Sequence, residues 1–411
     1  MTLTESLYME KIEHDTMTGH RAVGREPDVA ATVEALAQAL AATAVARDQA
    51  GGHAHDERER IRASGLLTLS VPREQGGAGA SWATVLRAVR RLAEADSALA
   101  HLFGFHHLQV AGVLLYGTPA QHDYFLRPTV SRALFWGNAL NPLDRRTVAQ
   151  RRGEGFVVSG TKSFASGSVG SDLLTISAWH EPSGAALIAA VPTDDRAVTV
   201  NADWDAFGQR QTDSGTVTFD QLVLEPIQVL QRPDAAPTPR ATVRSQVAQL
   251  IMTNLYLGIA RGANAEAVRY VREEARPWFD SGVTRHADDP YVQERLGEFR
   301  LRIRAAEALA DQAAERLDDA VARGDGVSAA IRGELAIAGA EAKVHAHRAA
   351  LAIGTELFEL TGARSTSARY GYDRYWRNAR VHTLHDPVAY KVRDIGRYAL
   401  DGSLPVPGPY S

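Results

Sequence analysis

The chain has 411 residues, enough for two or three domains and a sizeable apolar core. Its net charge of -4, with 45% apolar and 23% charged residues, gives no basic face for nucleic acid and is ordinary for a globular protein. There are no cysteines, which excludes disulfides, thiolate metal ligands and cysteine nucleophiles and makes the cytoplasm the expected location. The N-terminal stretch MTLTESLYMEKIEHDTMTGH has no apolar core of the secretory-signal kind, and the sequence is read as having no apolar run of the ~20 residues that a membrane span needs.

In chain order, the first strong helical period is Val29–Ala50, where Val29, Val33, Leu36, Leu40 and Val45 recur on one face. Asp28 is placed to cap it and Gly51-Gly52 to close it. Further helices are expected at about His55–Ser64, Trp82–Ala95 and Ala98–Leu115. From Ala133 to about Leu230 the pattern changes to short Val-, Ile-, Thr- and Phe-rich segments divided by Gly and Pro. No long helix fits between them, so an antiparallel barrel or sandwich is expected rather than alternating β-α units. A Pro-rich linker, RPDAAPTPR, leads into three long Ala-rich amphipathic stretches, Ala241–Ala275, Pro290–Arg323 and Ser328–Leu360, suited to an antiparallel bundle.

That α-β-α order resembles the acyl-CoA dehydrogenase fold, and short motifs agree with it. LLTLSVPREQGGAG at 66–79, GTKSFASG at 160–167 and WRNARVHTL at 376–384 resemble its first turn, its flavin-side strand and the helix before its catalytic carboxylate. HLFGFH at 101–106, FASGSVGSDLL at 164–174, GQRQTDSG at 208–215 and RYGYDRYWRNARVHTLHDPVAYK at 369–391 resemble the flavin-dependent monooxygenases on this fold, which act on sulfur compounds such as dibenzothiophene. The resemblance implies an α+β protein with a helical N-terminal domain over 1–130, a central antiparallel β-barrel over 131–235, and a C-terminal four-helix bundle with a terminal tail over 236–411. It departs from the dehydrogenases at three places: WGNALNP at 136–142 lacks their glycines, Asp386-Pro387 stands where their base would be, and LTGAR at 360–364 replaces their adenylate turn. An arginine in that last place suits a terminal phosphate, which favours FMN over FAD.

What the resemblance implies is a two-component monooxygenase. Reduced FMN comes by diffusion from a separate NAD(P)H:flavin reductase, reacts with dioxygen to a hydroperoxide at one ring carbon, and oxygenates a small hydrophobic substrate. No Gly-x-Gly-x-x-Gly follows a strand, so no nicotinamide site is expected in the chain itself. Such a hydroperoxide needs a dry pocket, a proton donor and a partner for the adjacent ring nitrogen. His101 and His385 are the expected catalytic imidazoles, and Ser166 the hydroxyl at the flavin edge. Asn138, Phe164, Ser166, Trp204, Arg276 and Arg364 are the expected flavin-binding residues, Arg276 reaching from a neighbouring subunit of a homotetramer. Phe105 and His382 are expected in the substrate pocket.

Plainer readings stand beside these: helix-end histidines, a turn serine at 166, a core phenylalanine at 164, and an arginine at 276 that complements a helix dipole. A metal on His382, His385 and Asp386 is disfavoured because adjacent helical residues diverge by about 100°. The rival functions are an FAD-dependent acyl-CoA dehydrogenase with Asp386 as base, and a non-catalytic flavin-fold binding subunit.

Overall fold

The computed structural model describes residues 28–411; the reading of the N-terminal stretch before them lies outside the described residues. The expected Val29–Ala50 helix is two, α1 (Val29–Ala41) and α2 (Ala44–Ala50), bent by 54° at the break. Asp28 caps α1 through bonds from the Ala30 and Ala31 amides. There follow α3 (His55–Ala63), α4 (Trp82–Ala95), α5 (Ser97–Tyr116) and α6 (Pro119–Ser131).

Helix α5 corrects the membrane reading, because by length and apolarity it passes for a span. Nearly every residue in it is nevertheless buried, and its histidines and glutamine face polar partners inside the protein. It is a core helix.

Eight strands follow, β1 (Trp136–Ala139), β2 (Val148–Arg152), β3 (Gly155–Lys162), β4 (Leu173–His180), β5 (Ala185–Pro192), β6 (Val198–Val200), β7 (Val217–Leu224) and β8 (Val229–Gln231). The order β6-β7-β3-β2-β4-β5-β8, with β1 pairing only β4, describes an open sheet and not the expected barrel. Nor is it purely antiparallel, since β1 and β2 both pair with β4 in parallel. The reason is local: β1 is fed from α6 and lies beside β4, a strand buried along almost its whole length.

Three long helices complete the chain, α7 (Pro239–Glu273), α8 (Pro290–Ala322) and α9 (Ala329–Thr361), with α10 (Asp373–Thr383) and α11 (Val388–Asp401) closing the fourth side against α9. Helix α7 is the central one, touching α4, α5, α8 and α9. Two glycines permit its closest approach: a Cβ at Gly258 would stand 2.5 Å from the Arg90 carbonyl oxygen, and one at Gly262 would stand 2.4 Å from that of Glu94. One large apolar core joins α1, α4, α5 and α7–α10, and a second fills the inside of the sheet. The cleft between the sheet, α5, α7 and α10 holds the candidate site.

Candidate active site

A cavity of about 1020 Å³ opens in that cleft, lined by α5, α7, the loops after β1 and β3, the 204–214 loop, the segment after α10 and the C-terminal tail. His101, Phe105, Asn138, Phe164, Ser166, Trp204, His382 and His385 all line it. Arg276 and Arg364 do not; both are exposed on the surface, beyond the ends of α7 and α9.

Two imidazole systems face the cavity. On α5, His101 stacks on Phe105 one turn later, with ring centroids 3.9 Å apart, as the i, i+4 spacing predicts. Its Nδ1 lies 2.8 Å from His382 Nε2 on α10. His382 Nδ1 lies 3.2 Å from the Tyr256 hydroxyl on α7, and that hydroxyl is 3.1 Å from the His382 carbonyl oxygen.

The direction of these bonds follows from elementary donor rules. Burial, with the Asp386 charge, raises the Tyr256 phenol well above its usual value, so it keeps its proton. A carbonyl only accepts, so the Tyr256 O–H donates to it and its oxygen accepts from His382 Nδ1–H. His382 Nε2 then accepts from His101 Nδ1–H. Burial, with a smaller push from His385, lowers the His101 imidazole to about 3, and burial holds His382 well below its ordinary value. Both rings are neutral. His101 Nε2 is left as a bare lone pair, buried and without a partner among the described residues. Sequence reasoning expects a proton donor here; the network presents an acceptor.

The second system corrects another expectation. His385 and Asp386 are not on a helix with His382, because α10 ends at Thr383 and α11 starts after Pro387. Freed from helical spacing, the two adjacent side chains meet, Nδ1–H of His385 donating to Asp386 Oδ1 at 3.0 Å. The same oxygen accepts from Lys343 Nζ at 2.5 Å, and Lys343 also donates to Gln249 at 2.6 Å. Burial alone would raise the Asp386 carboxyl, but the His385 bond and the Lys343 ammonium hold it well below the usual range. Burial in turn pushes Lys343 down to about 8, with Asp386 opposing. The Tyr410 ring of the tail stands edge-on to His385, with centroids 5.2 Å apart.

The opposite wall carries hydroxyls and amides. Ser166 lies not in β3 but in the turn beyond it, its amide bonded to the Phe164 carbonyl at 2.9 Å. Strand alternation therefore does not relate Phe164 to Ser166. Phe164 has a positive φ of 56° and is 69% exposed, meeting Trp204 edge-on at 5.9 Å. Ser166 Oγ begins a chain to Ser214 (2.8 Å), Thr212 (2.8 Å) and the Gln209 carbonyl (2.9 Å), which also accepts from the Trp204 indole at 2.8 Å. Asn138 is within β1, its amide bonded to the Ser166 carbonyl at 2.9 Å.

The 204–214 loop is pinned from several sides. Its Gln209 amide donates to Asn378 at 2.6 Å, and Asp213 pairs with Arg58 and His53 at 3.1 and 2.9 Å. Gly208 is required where the loop crosses α10, since a Cβ there would stand 2.2 Å from the Arg377 carbonyl oxygen. These parts fit a flavin: a large cleft with one apolar wall, a hydroxyl and amide edge, and buried polar atoms, His101 Nε2 and Gln209 Oε1, that have no partner among the described residues. Among the described residues no cluster of three potential metal ligands occurs.

Tyr256, Lys343, Gln249 and Ser214 go unnoticed in the sequence. Lys343 alone leaves a trace, as a lysine in the Ala-rich buried face of α9.

Residues 26–133 and 250–389 match the models of the acyl-CoA dehydrogenase N-terminal and C-terminal domains. The chain is 45% identical to the probable FMNH2-dependent monooxygenase SfnC of Pseudomonas putida, over 92% of this chain and 95% of that one. The methanesulfinate monooxygenase MsuC of Pseudomonas fluorescens superposes with a TM-score of 0.92 at 46% identity, covering 94% of this chain and 100% of the other. The dibenzothiophene monooxygenase TdsC of Paenibacillus sp. A11-2 superposes with a TM-score of 0.88 at 40% identity, covering 93% and 100%. TdsC has also been solved with FMN and indole bound.

Proposed function

Because the chain belongs to the acyl-CoA dehydrogenase family, in the branch of its FMNH2-dependent monooxygenases, we propose that it is a two-component monooxygenase acting on a hydrophobic organosulfur substrate. Reduced FMN, brought by a separate reductase in the cytoplasm, supplies the electrons that activate dioxygen for transfer of one oxygen atom. The observation that carries the reading is the state of Asp386. A dehydrogenase needs a free carboxylate to take an α-proton, whereas Asp386 is buried, ionised and bonded to both Lys343 and His385. What it offers the cavity instead is an oriented imidazole. That speaks against both the thioester-dehydrogenase reading and a merely structural flavin fold.

In this reading Ser166, Asn138 and the Gln209 loop hold the flavin edge, with Phe164 and Trp204 beside it. His385, fixed through Nδ1 by Asp386, holds and passes a proton at Nε2. His101 Nε2 accepts a hydrogen bond from substrate or cofactor, and Phe105 with His382 shapes the substrate side. Arg276 and Arg364 serve a phosphate held between two copies of the chain. Trp278 and Phe279 beside Arg276 are 67% and 86% exposed, an aromatic patch that a second copy in a homotetramer would cover.

The test is oxygen-dependent turnover with reduced FMN against thioethers, sulfoxides, sulfinates, amines and phenols, with butyryl-CoA and FAD as the contrast. Oxygenated sulfur product with FMN is expected. Thioester oxidation with FAD, or oxygen uptake that no substrate diverts from hydrogen peroxide, would overturn the reading.

A further inference from the structure

The cavity wall carries two guanidinium groups. Arg232 is partly exposed and lies 3.5 Å from Asp234, an ordinary surface pair. Arg244 on α7 is different. It is 6% exposed, and among the described residues its polar partners are neutral: Gln109 Oε1 accepts from it at 2.9 Å, and the Tyr116 hydroxyl bonds it. Its Nε has no partner among the described residues. Among the described residues no carboxylate pairs with it. The guanidinium lies over Gly112, where an added Cβ would stand 3.1 Å from Nε, so α5 is hollowed to admit it.

A buried cation without a counter-ion is costly, and hydrophobic packing would serve the α5–α7 contact better. Nothing in the proposed oxygen chemistry uses it. A guanidinium that lines a large cavity without a counter-ion is suited to an anion supplied from outside.

Its position says which part of a ligand it meets. Gln109 is eight residues along α5 from His101, a separation of ~12 Å at 1.5 Å per residue. Phe105 and Leu108, both cavity-lining, fill the distance between with apolar surface. We propose that Arg244 is an anion anchor at the Gln109 end of the cavity, and that the substrate is an elongated organic acid. Its charged end docks on Arg244, its apolar body lies along α5, and its oxidisable atom stays beside His101 and His385. Which end reacts rests on the monooxygenase reading; the anchor itself does not. The other source of an anion is the cofactor's phosphate. It is disfavoured because a doubly charged phosphate in this niche would meet one guanidinium and otherwise neutral or apolar groups.

The probes are 4′-(methylthio)biphenyl-4-carboxylate and its uncharged counterpart 4-(methylthio)biphenyl, titrated calorimetrically into the whole protein with and without FMN. The wild type is expected to bind the carboxylate at least tenfold more tightly. Arg244→Met should abolish that preference, and Arg244→Lys should keep part of it. Equal binding of the two probes by the wild type, or a preference that survives Arg244→Met, overturns the proposal. If Arg244→Met weakens FMN but leaves riboflavin unchanged, the ligand is the cofactor phosphate and the proposal also fails. A carboxylate preference lost in Arg244→Met, without oxygenated product in the wild type, would support the anchor and sink the monooxygenase reading instead.

Discussion

Replacing Tyr256 by Phe removes one oxygen atom and tests the whole direction of the His101–His382 network. Without it, the buried His382 Nδ1–H loses its partner, while the His382 carbonyl keeps its bond from the His385 amide at 3.1 Å. One buried donor left unsatisfied costs roughly 1–3 kcal/mol. His382 can escape part of that by moving its proton from Nδ1 to Nε2, which leaves a bare nitrogen instead of an orphaned donor. It then donates to His101 Nδ1, and the proton of His101 must sit on Nε2. The variant is therefore expected to lose about 1–2 kcal/mol of unfolding free energy and to show the cavity a donor in place of an acceptor. Guanidinium denaturation gives the first quantity. Nitrogen-15 spectra of labelled histidine give the second, since protonated and bare ring nitrogens resonate far apart. Product formed per oxygen consumed should fall about tenfold, with FMN affinity unchanged. A Tyr256→Phe variant within 0.5 kcal/mol of wild type, with His101 Nε2 still unprotonated, would refute the assignment.

His385→Ala should still bind FMN and consume oxygen, but release mostly hydrogen peroxide, with product yield down ~10²-fold; a peroxide assay beside product analysis decides, and wild-type yield would make the segment structural. Arg276→Ala should weaken FMN binding at least tenfold and lower the sedimentation coefficient, and unchanged values of both would contradict a shared phosphate site. Acid should destabilise the fold: burial holds His101 at about 3 and His106 at about 4 in the folded state, so only the unfolded chain takes up protons just below pH 6.5. Their contribution is whole above that value and falls by about 1.4 kcal/mol per group per pH unit down toward pH 4, which denaturation at pH 7 and pH 5 would reveal and a flat profile would disprove.

Much of this site was readable from residues close in sequence, and what was not depends on distance along the chain. The i, i+4 stacking of His101 on Phe105 needs only a helical period, and the long helices follow from Ala-rich amphipathic runs ended by Gly and Pro. The β-region is legible as strands but not as a sheet. Its parallel β1–β4 pairing joins Trp136 to Leu173 across a long separation that no local pattern encodes. Phe164 illustrates a second limit: strand chemistry surrounds it, yet a positive φ takes it out of the alternation. Tyr256 and Lys343 illustrate a third, since each reads as part of a buried helix face until a distant part of the chain brings a histidine or a carboxylate to it. Arg244 is hidden likewise, a basic residue in an amphipathic helix whose burial comes from the glycine opposite.

The Lys343–Asp386–His385 cluster can be separated into its structural and chemical parts. Lys343→Met alone leaves the buried Asp386 carboxylate with only His385, and breaking a buried pair in this way costs about 3–5 kcal/mol. Removing both charges in Lys343→Met/Asp386→Leu replaces the pair by apolar groups of similar size, a change that is often close to neutral for stability. If the cluster serves folding alone, the double variant should regain both stability and product yield. If Asp386 also fixes the His385 ring through Nδ1, stability should return while product yield stays low and peroxide release stays high. The second outcome is expected, because among the described residues Asp386 is the side chain that holds His385 Nδ1 in place. A double variant with wild-type coupling would show that His385 needs no carboxylate to act.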